Sequence, residues 1–378
     1  MREVSFTIIL SFRNREFQRL EKCLYSLLNQ TYTSYEVILV DYGSEKDLLN
    51  KIINFFKNLP EIFQLICHAG QGHFWNRAHA LNIGSKEAKG DYLIFGDIDM
   101  IYPRKFITSI AENIDPMVFV NYRCFYLRKN HSGLSLKDID NLNFANKKFE
   151  SSSNASGLLA VSRSIFSELG GYDESFCVWG FEDNDLLKRL LDKGIDQKWL
   201  TNSMDYVYHQ WHKFEKPVIE PNFWYLTMCD YFFSKIINTQ SEKLVWGKCL
   251  QESERFIFKD FKFQTSITLP IVWNFDYWNA FIDAFYRLKN NAIIEIKHKP
   301  LTYKGNNSIL KFCDKKLINN KSRIILIRLF GFIKSRRYVI EKDVLDFFSW
   351  FINTHKKYIN DYNISVNDGI TTVRILKK

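Results

Sequence analysis

Short apolar runs and amphipathic stretches alternate through the N-terminal part of the chain. Residues 4–10 (VSFTIIL) form an apolar run, and RNREFQRLEKCLYSLLNQ follows with Phe17, Leu20, Leu24 and Leu27/Leu28 at helical spacing. YEVILVD (35–41) reads as a buried strand ending in an acid and the turn YGSEKD, and a helix is predicted over 46–58. A third strand, FQLICHA (63–69), leads into a Gly/His-rich turn and the helical WNRAHALNIGSKEA; DYLIFGDIDM (91–100) is a fourth strand ending in acids. This alternation predicts a parallel, doubly wound sheet. In such sheets ligands bind beyond the carboxyl ends of the strands, where Asp41, Asp97 and Asp99 fall.

Further along, residues 129–157 are polar and weakly periodic, the pattern of a loop over a site. GLLAVSRSIFSELGGYDE (157–174) predicts a strand, a short helix and a Gly-Gly turn. A helix capped by Asp183 or Asn184 follows, with Leu186, Leu187, Leu190 and Leu191 as its apolar positions and Gly194 as its stop; DYVYH (205–209) is the next strand. Beyond residue 240 the pattern mixes helices (FIDAFYRLKN, VLDFFSWFINTHKKYI) with strands (IIEIKH, RIILIRLF, TTVRILK). The expectation is an α/β catalytic domain over 1–240 and a smaller α/β accessory region over 241–378.

Charge sharpens this division. After residue 240 there are 25 Lys and Arg against 13 Asp and Glu, so the last third carries +12 of the net +10 and the first 240 residues −2. A basic accessory region fits an anionic partner such as a membrane surface, or simply a solvated basic face. Within it, KSRIILIRLFGFIKSRRYV (321–339) reads as a buried strand with basic flanks, in preference to a membrane-surface segment. No run approaches the roughly 18–20 apolar residues of a membrane span. The N-terminus lacks the signature of a signal peptide, and the seven cysteines are odd in number and scattered. These features predict a cytoplasmic protein, with peripheral contact at the inner face of the membrane as the role for the basic region. No nucleic-acid-binding motif accompanies the basic charge.

Three stretches carry candidate chemistry. In GDIDM (96–100) two hard oxygen donors end a buried strand, the arrangement that Mg²⁺ or Mn²⁺ needs when it also binds phosphates. In WGFEDND (179–185) three acids follow a Trp-Gly pair at the start of a helix, more than a cap requires. HAGQGHFWNRAHA contains His68, His73 and His79, whose spacings of 5 and 6 fit no usual zinc pattern.

SFRNR (11–15), VDYGS (40–44), NRAHALNIGSKEAKGDYLIFGDIDM (76–100) and WGFEDND (179–185) occur in the order found in GT-A glycosyltransferases of family 2. The last resembles the WGxED element of galactosyltransferase-like and chondroitin-polymerase-like enzymes. The resemblance covers roughly residues 4–215 and implies a Rossmann-like nucleotide-diphospho-sugar transferase fold. It implies an inverting, metal-dependent transfer of a hexose or N-acetylhexosamine from a UDP-sugar to a glycan or lipid-linked acceptor in surface polysaccharide synthesis. Alternatives are a retaining GT-A transferase and a non-catalytic carbohydrate-binding protein.

The resemblance also implies roles. Ser11, Phe12 and Arg13 border the nucleotide with Arg15 nearby, and Asp41 accepts from the uracil ring. Arg77 faces the diphosphate or the sugar. Asp97 and Asp99 are the DxD pair on Mn²⁺ or Mg²⁺, Asp99 the more direct ligand, and His209 is the third ligand with His212 as its alternative. Asp183 is the base, Glu182 holds the acceptor hydroxyls, Trp179 offers an apolar face to a sugar ring and Gly180 admits the ligand close to the backbone; Asp185 is structural. Ser11 stands where Pro is frequent, and Tyr42 where a second Asp is frequent.

Overall fold

The computed structural model describes residues 4–131, 133–139, 147–150, 157–176, 181–200, 202, 206–213, 246–256, 258, 265–268, 281–282, 284–298, 341–367 and 370–378. Trp179, Gly180 and the segment 321–339 lie outside the described residues. The chain divides into two compact units, Met1–Pro217 with Pro221–Arg255, and Val218–Glu220 with Phe256–Lys378.

In the first unit β1 (Phe6–Phe12), α1 (Phe17–Leu28), β2 (Tyr35–Asp41), α2 (Lys46–Phe56), β3 (Phe63–Cys67), α3 (Arg77–Glu87) and β4 (Tyr92–Asp97) follow the predicted alternation. β1 pairs in parallel with β2 and β4, and β2 with β3. These strands read as continuous apolar runs because both faces of the sheet are covered. Ile8, Leu10, Val37 and Leu39 pack with Leu20, Leu24 and Leu27 of α1; Ile9, Ile38 and Val40 pack with Ala78, Leu81 and Ile83 of α3.

The chain then forms β5 (Met100–Ile101), α4 (Phe106–Ala111), β6 (Val118–Asn121), β7 (Cys124–Leu127), the single turn α5 (Leu136–Ile139), β8 (Lys147–Glu150), β9 (Leu159–Ser162), α6 (Arg163–Glu168), α7 (Glu182–Asp192), β10 (Asp196–Trp199) and β11 (Val207–His209). The main sheet has the order β10-β6-β9-β4-β1-β2-β3. It is not wholly parallel as predicted: β9 runs antiparallel to both β4 and β6. The cause lies in where β9 begins. Leu159 pairs with Asn121 and Phe95, so the chain enters β9 at the carboxyl ends of its neighbours and can only run back along them.

A second sheet, β5-β11-β7-β8, stands beside these strand ends. Its register sets His209 opposite Met100, one residue from Asp99. α7 begins at Glu182, earlier than the predicted Asp183 or Asn184 cap. Its N-cap is Phe181 in the left-handed region (φ 71°), without a side-chain cap. A bulky residue there is strained and persists where the surrounding structure holds it. Gly194 ends the helix as predicted, with φ +80° and its N–H donating to the Leu191 carbonyl at 2.9 Å.

In the second unit β12 (Thr265–Thr268), β13 (Ile293–His298), β14 (Ile359–Asn367) and β15 (Ile370–Lys377) form the sheet β12-β13-β15-β14, joined by α8 (Glu341–Thr354). The strands expected in IIEIKH and TTVRILK are present. The helix expected through residue 359 stops at Thr354, and the polar run INDYNISVN becomes β14 by pairing with β15. Phe281 packs against Phe348 and Phe351 with ring centroids 5.0 and 4.8 Å apart, so part of the aromatic excess is core. Among the described residues no helix is long and apolar enough to cross a membrane.

Candidate active site

The parallel register brings the functional strand ends level: Phe12 lies opposite Asp41 and Ser11 opposite Asp97. Asp41 is fully buried. Its Oδ2 accepts from the N–H groups of Gly43 (3.1 Å) and Ser44 (3.0 Å), whereas its Oδ1 is buried without a hydrogen-bond partner. Burial raises its pKa, against the lowering effect of a hydrogen bond from the Ser44 side chain and of those two amides. Gly43 is required here. It has φ +78°, and a Cβ on it would lie 2.5 Å from the Gln71 nitrogen, so the loops after β2 and β3 pack backbone on backbone. Ser11 is buried, and Phe12 lies in the core, offering the strand end only backbone: its carbonyl accepts from Tyr42 N–H at 2.8 Å. Arg13 donates from Nη1 to the His73 carbonyl (2.8 Å), and Arg15 is exposed.

Arg77 joins the two acidic motifs. Asn76 caps α3 by accepting from His79 N–H (2.9 Å), and Arg77, the helix's first residue, projects across the strand ends. Its Nε donates to Asp97 Oδ1 at 3.0 Å, its Nη1 lies 3.6 Å from Glu182 Oε1, and its Nη2 donates to the Gly157 carbonyl at 3.2 Å. A side chain at Gly157 would begin 3.4 Å from Asp183 Oδ2 and 3.6 Å from Arg77 Nη2, so Asp183 and Arg77 flank one point. Glu182 is buried, and burial followed by the neighbouring Asp183 pushes its pKa up to about 7, against the pull of Arg77. Asp183 Oδ1 accepts from Asn184 N–H at 2.9 Å. Asp185 pairs along the helix with Arg189 (Nε to Oδ2, 2.8 Å), a structural role.

Asp99 faces the other way. His209 Nε2 and His212 Nε2 lie 3.5 and 3.3 Å from its Oδ2, and its Oδ1 is buried without a partner. One ligand atom from each of the three residues falls within 4.8 Å of the others. Burial raises the Asp99 pKa, but the His212 hydrogen bond and both imidazoles outweigh it and hold the carboxyl low. A carboxylate with an unsatisfied buried oxygen beside two imidazoles fits a divalent cation. The two histidines are therefore not alternatives, since both flank Asp99. Asp97, expected beside Asp99, is instead held by Arg77.

A further group escaped the sequence reading. His68 is buried and its ring stacks on Tyr42 with centroids 4.5 Å apart. Residues 246–255 cross the ends of β3 and α3: Leu250 N–H donates to His68 Nδ1 (3.0 Å), and Ala69 N–H to the Leu250 carbonyl (2.9 Å). Arg255 Nη1 donates to the Ala69 carbonyl (2.6 Å). His79 Nε2 sits 2.9 Å from the Lys248 carbonyl, which can only accept, so its Nδ1 accepts from the Tyr42 hydroxyl (2.8 Å). Burial, then His79 and His73, push the His68 pKa down to about 2. Nothing local in the sequence pairs residue 68 with residue 250.

Residues 7–170 match the family profile "Glycosyl transferase family 2", and residues 140–213 match "N-terminal domain of galactosyltransferase". The chain is 26% identical over 228 residues to N-acetylgalactosaminyltransferase 7 of Drosophila melanogaster, covering 51% of this chain and 37% of that protein. It is 29% identical over 193 residues to beta-1,4-galactosyltransferase 1 of Mus musculus, covering 50% and 37%. The chain thus spans little more than a third of the length of these curated relatives. Among solved structures, S. aureus TarS 1-349 is similar with a TM-score of 0.45 at 16% identity, covering 63% of this chain and 67% of that one. GalNAc-T7 with UDP, GalNAc and Mn²⁺ has a TM-score of 0.46 at 17% identity, covering 64% and 52%. Residues 7–213 are thus covered by two overlapping glycosyltransferase profiles, and the N-terminal unit is similar to glycosyltransferases of family 2.

Proposed function

We propose that the chain is an inverting, metal-dependent glycosyltransferase that moves a hexose or N-acetylhexosamine from a UDP-sugar to a hydroxyl of a glycan or lipid-linked acceptor. The observation that carries this reading is the span of Arg77, which ties Asp97 of one motif to Glu182 of the other. A cation corner at Asp99 and a carboxylate pair at the start of α7 therefore belong to one set of strand ends. Inversion in a single displacement needs a base on the incoming hydroxyl and charge stabilisation on the departing diphosphate. Asp183 takes the hydroxyl proton. Glu182, in its ionised form, accepts from neighbouring acceptor hydroxyls. Arg77 places a fixed positive charge between them and the donor. A divalent cation held by Asp99, His209 and His212 would supply charge for the departing diphosphate. Asp41 receives the base of the nucleotide.

The relatives' names favour galactose-series donors, so UDP-Gal and UDP-GalNAc stand ahead of UDP-GlcNAc. A panel of UDP-sugars with Mn²⁺, followed by UDP release and the anomeric configuration of the product, tests the reading. Mn²⁺-dependent release with inverted product is expected. Retained configuration would remove Asp183 as the base, and the absence of release with any UDP-sugar would remove the donor class.

A further inference from the structure

Residues 246–255 stand beyond the catalytic boundary expected at residue 240, yet they belong to the first unit. The leading end of this strap is fastened to one side chain. Glu174 Oε1 accepts from Gly247 N–H at 2.6 Å and from Asn82 Nδ2 at 2.9 Å, and the Glu174 carbonyl accepts from Asn76 Nδ2 at 2.7 Å. Glu174 thus joins the strap to α3 at two points, its N-cap and its middle. Asn82 is fully buried with both ends of its amide engaged: Oδ1 accepts from Tyr172 N–H (2.8 Å), and Nδ2 also donates to the Tyr172 carbonyl (2.9 Å). Gly171 permits this approach, since it has φ +74° and a Cβ there would lie 2.6 Å from Asn82 Oδ1 and 2.9 Å from Trp246 Cε3. Trp246 itself stands edge-on to Phe166, with Lys86 Nζ 3.6 Å from its ring centroid.

These contacts govern a spacing that the site does not fix by itself. Arg77 Nη1 lies 3.6 Å from Glu182 Oε1 and has no hydrogen-bond partner, so attraction without a directed bond links the two elements there. Behind Arg77 stands Asn76, and the chain from Glu174 runs on to Glu182 and Asp183. We propose that Glu174 is a positioning residue for sugar transfer: clamped by Asn82 and by Gly247 of the strap, it sets the distance between Arg77 on α3 and the carboxylates that open α7. This role rests on the transferase reading above, and it brings the start of the strap into the working catalytic unit. The strap's other end is fastened separately, through Leu250 and Arg255 to the loop after β3. Loosening Glu174 therefore leaves the nucleotide side in place.

The test compares kcat for Mn²⁺-dependent UDP release with the affinity for UDP, on the full chain as wild type, Glu174→Ala, Glu174→Gln and Gly247→Ala. The donor is the UDP-sugar that wild type turns over fastest. Glu174→Ala leaves the Gly247 amide without its acceptor, and it should lower kcat about 10-fold or more while UDP affinity stays within about 2-fold. Glu174→Gln keeps an oxygen for both donors and should restore most of the lost kcat. Gly247→Ala disturbs the clamp from the strap side, because Gly247 has φ +67° and a Cβ would lie 2.8 Å from the Asn82 carbonyl oxygen. It should reproduce the loss of kcat with UDP affinity kept. Unchanged kcat in Glu174→Ala overturns the proposal. So does an equal fall in kcat and UDP affinity, or a Gln variant no better than Ala, since each describes general support of the fold or of charge. Should Glu174→Ala fail to fold, Gly247→Ala decides by the same split. Wild type that releases UDP from no UDP-sugar overturns the transferase reading itself, a failure distinct from any of these.

Discussion

Asp97 and Asp99 stand two residues apart in one turn and meet opposite partners. Asp97 faces the guanidinium of Arg77, a fixed cation that also reaches Glu182. Asp99 faces two imidazoles, those of His209 and His212. The first corner carries its own positive charge within the fold; the second keeps a buried carboxylate oxygen without a partner. The two acids of the DxD pair thus have separate settings: an ion pair with Arg77, a hub that also reaches Glu182, and a carboxylate facing two imidazoles that a separate sheet brings in. The difference arises because the chain turns between β4 and β5, and because β11 pairs with β5.

Removing the proposed base tests the hub most severely. Asp183→Asn should lower kcat about 10³-fold, within the usual range for a lost general base, while UDP affinity changes little. Steady-state kinetics beside nucleotide binding separate the two, and near-normal turnover would place the base elsewhere. Arg77→Gln comes next. It leaves Asp97 and Glu182 facing each other without their cation, which should destabilise the first unit by about 3 kcal/mol. Denaturant unfolding measures this, and an unchanged midpoint would mean that the hub is not an energetic unit. Asp99→Asn should weaken Mn²⁺ binding on the order of 100-fold, whereas Asp97→Asn should cost metal affinity far less and stability more. Equal losses of metal affinity in the two variants would restore the single-clamp reading.

The contrast between the corners also marks what can be read from the chain. Strands buried on both faces appear as unbroken apolar runs, so β1 to β4 and the acids at their ends were legible. The carboxylate cluster was legible because its members are neighbours on one helical turn. The partition of Asp97 from Asp99 was not, since it depends on which side chain Arg77 reaches across twenty positions. The joint placement of His209 and His212 depends on the pairing of a three-residue strand, and the setting of His68 on an amide 182 residues away. The start of α7 was misplaced by two or three residues because Phe181 adopts a left-handed conformation that no bulky side chain advertises. β9 looked like any strand of a parallel sheet, and only the end at which the chain enters it sets its direction.

The smallest effect expected belongs to Glu182, where the hub's function opposes its stability. Its folded pKa of about 7 lies above the ordinary 4.5, so the folded chain holds this proton more tightly than the unfolded chain. Unfolding therefore releases a proton between these values, and the contribution to stability is fully present below pH 4.5 and is lost as pH rises toward 7. The proposed role in binding acceptor hydroxyls needs the ionised form, so activity should rise over the upper part of the same window. Glu182→Gln resembles the protonated state at every pH. It should approach wild-type kcat/KM near pH 6, fall about tenfold below it at pH 8, and lack the stability slope that wild type shows between 4.5 and 7. Profiles of kcat/KM and unfolding free energy on both proteins measure this. Parallel profiles in the two would mean that another group sets the acid limb and that Arg77 keeps Glu182 ionised throughout.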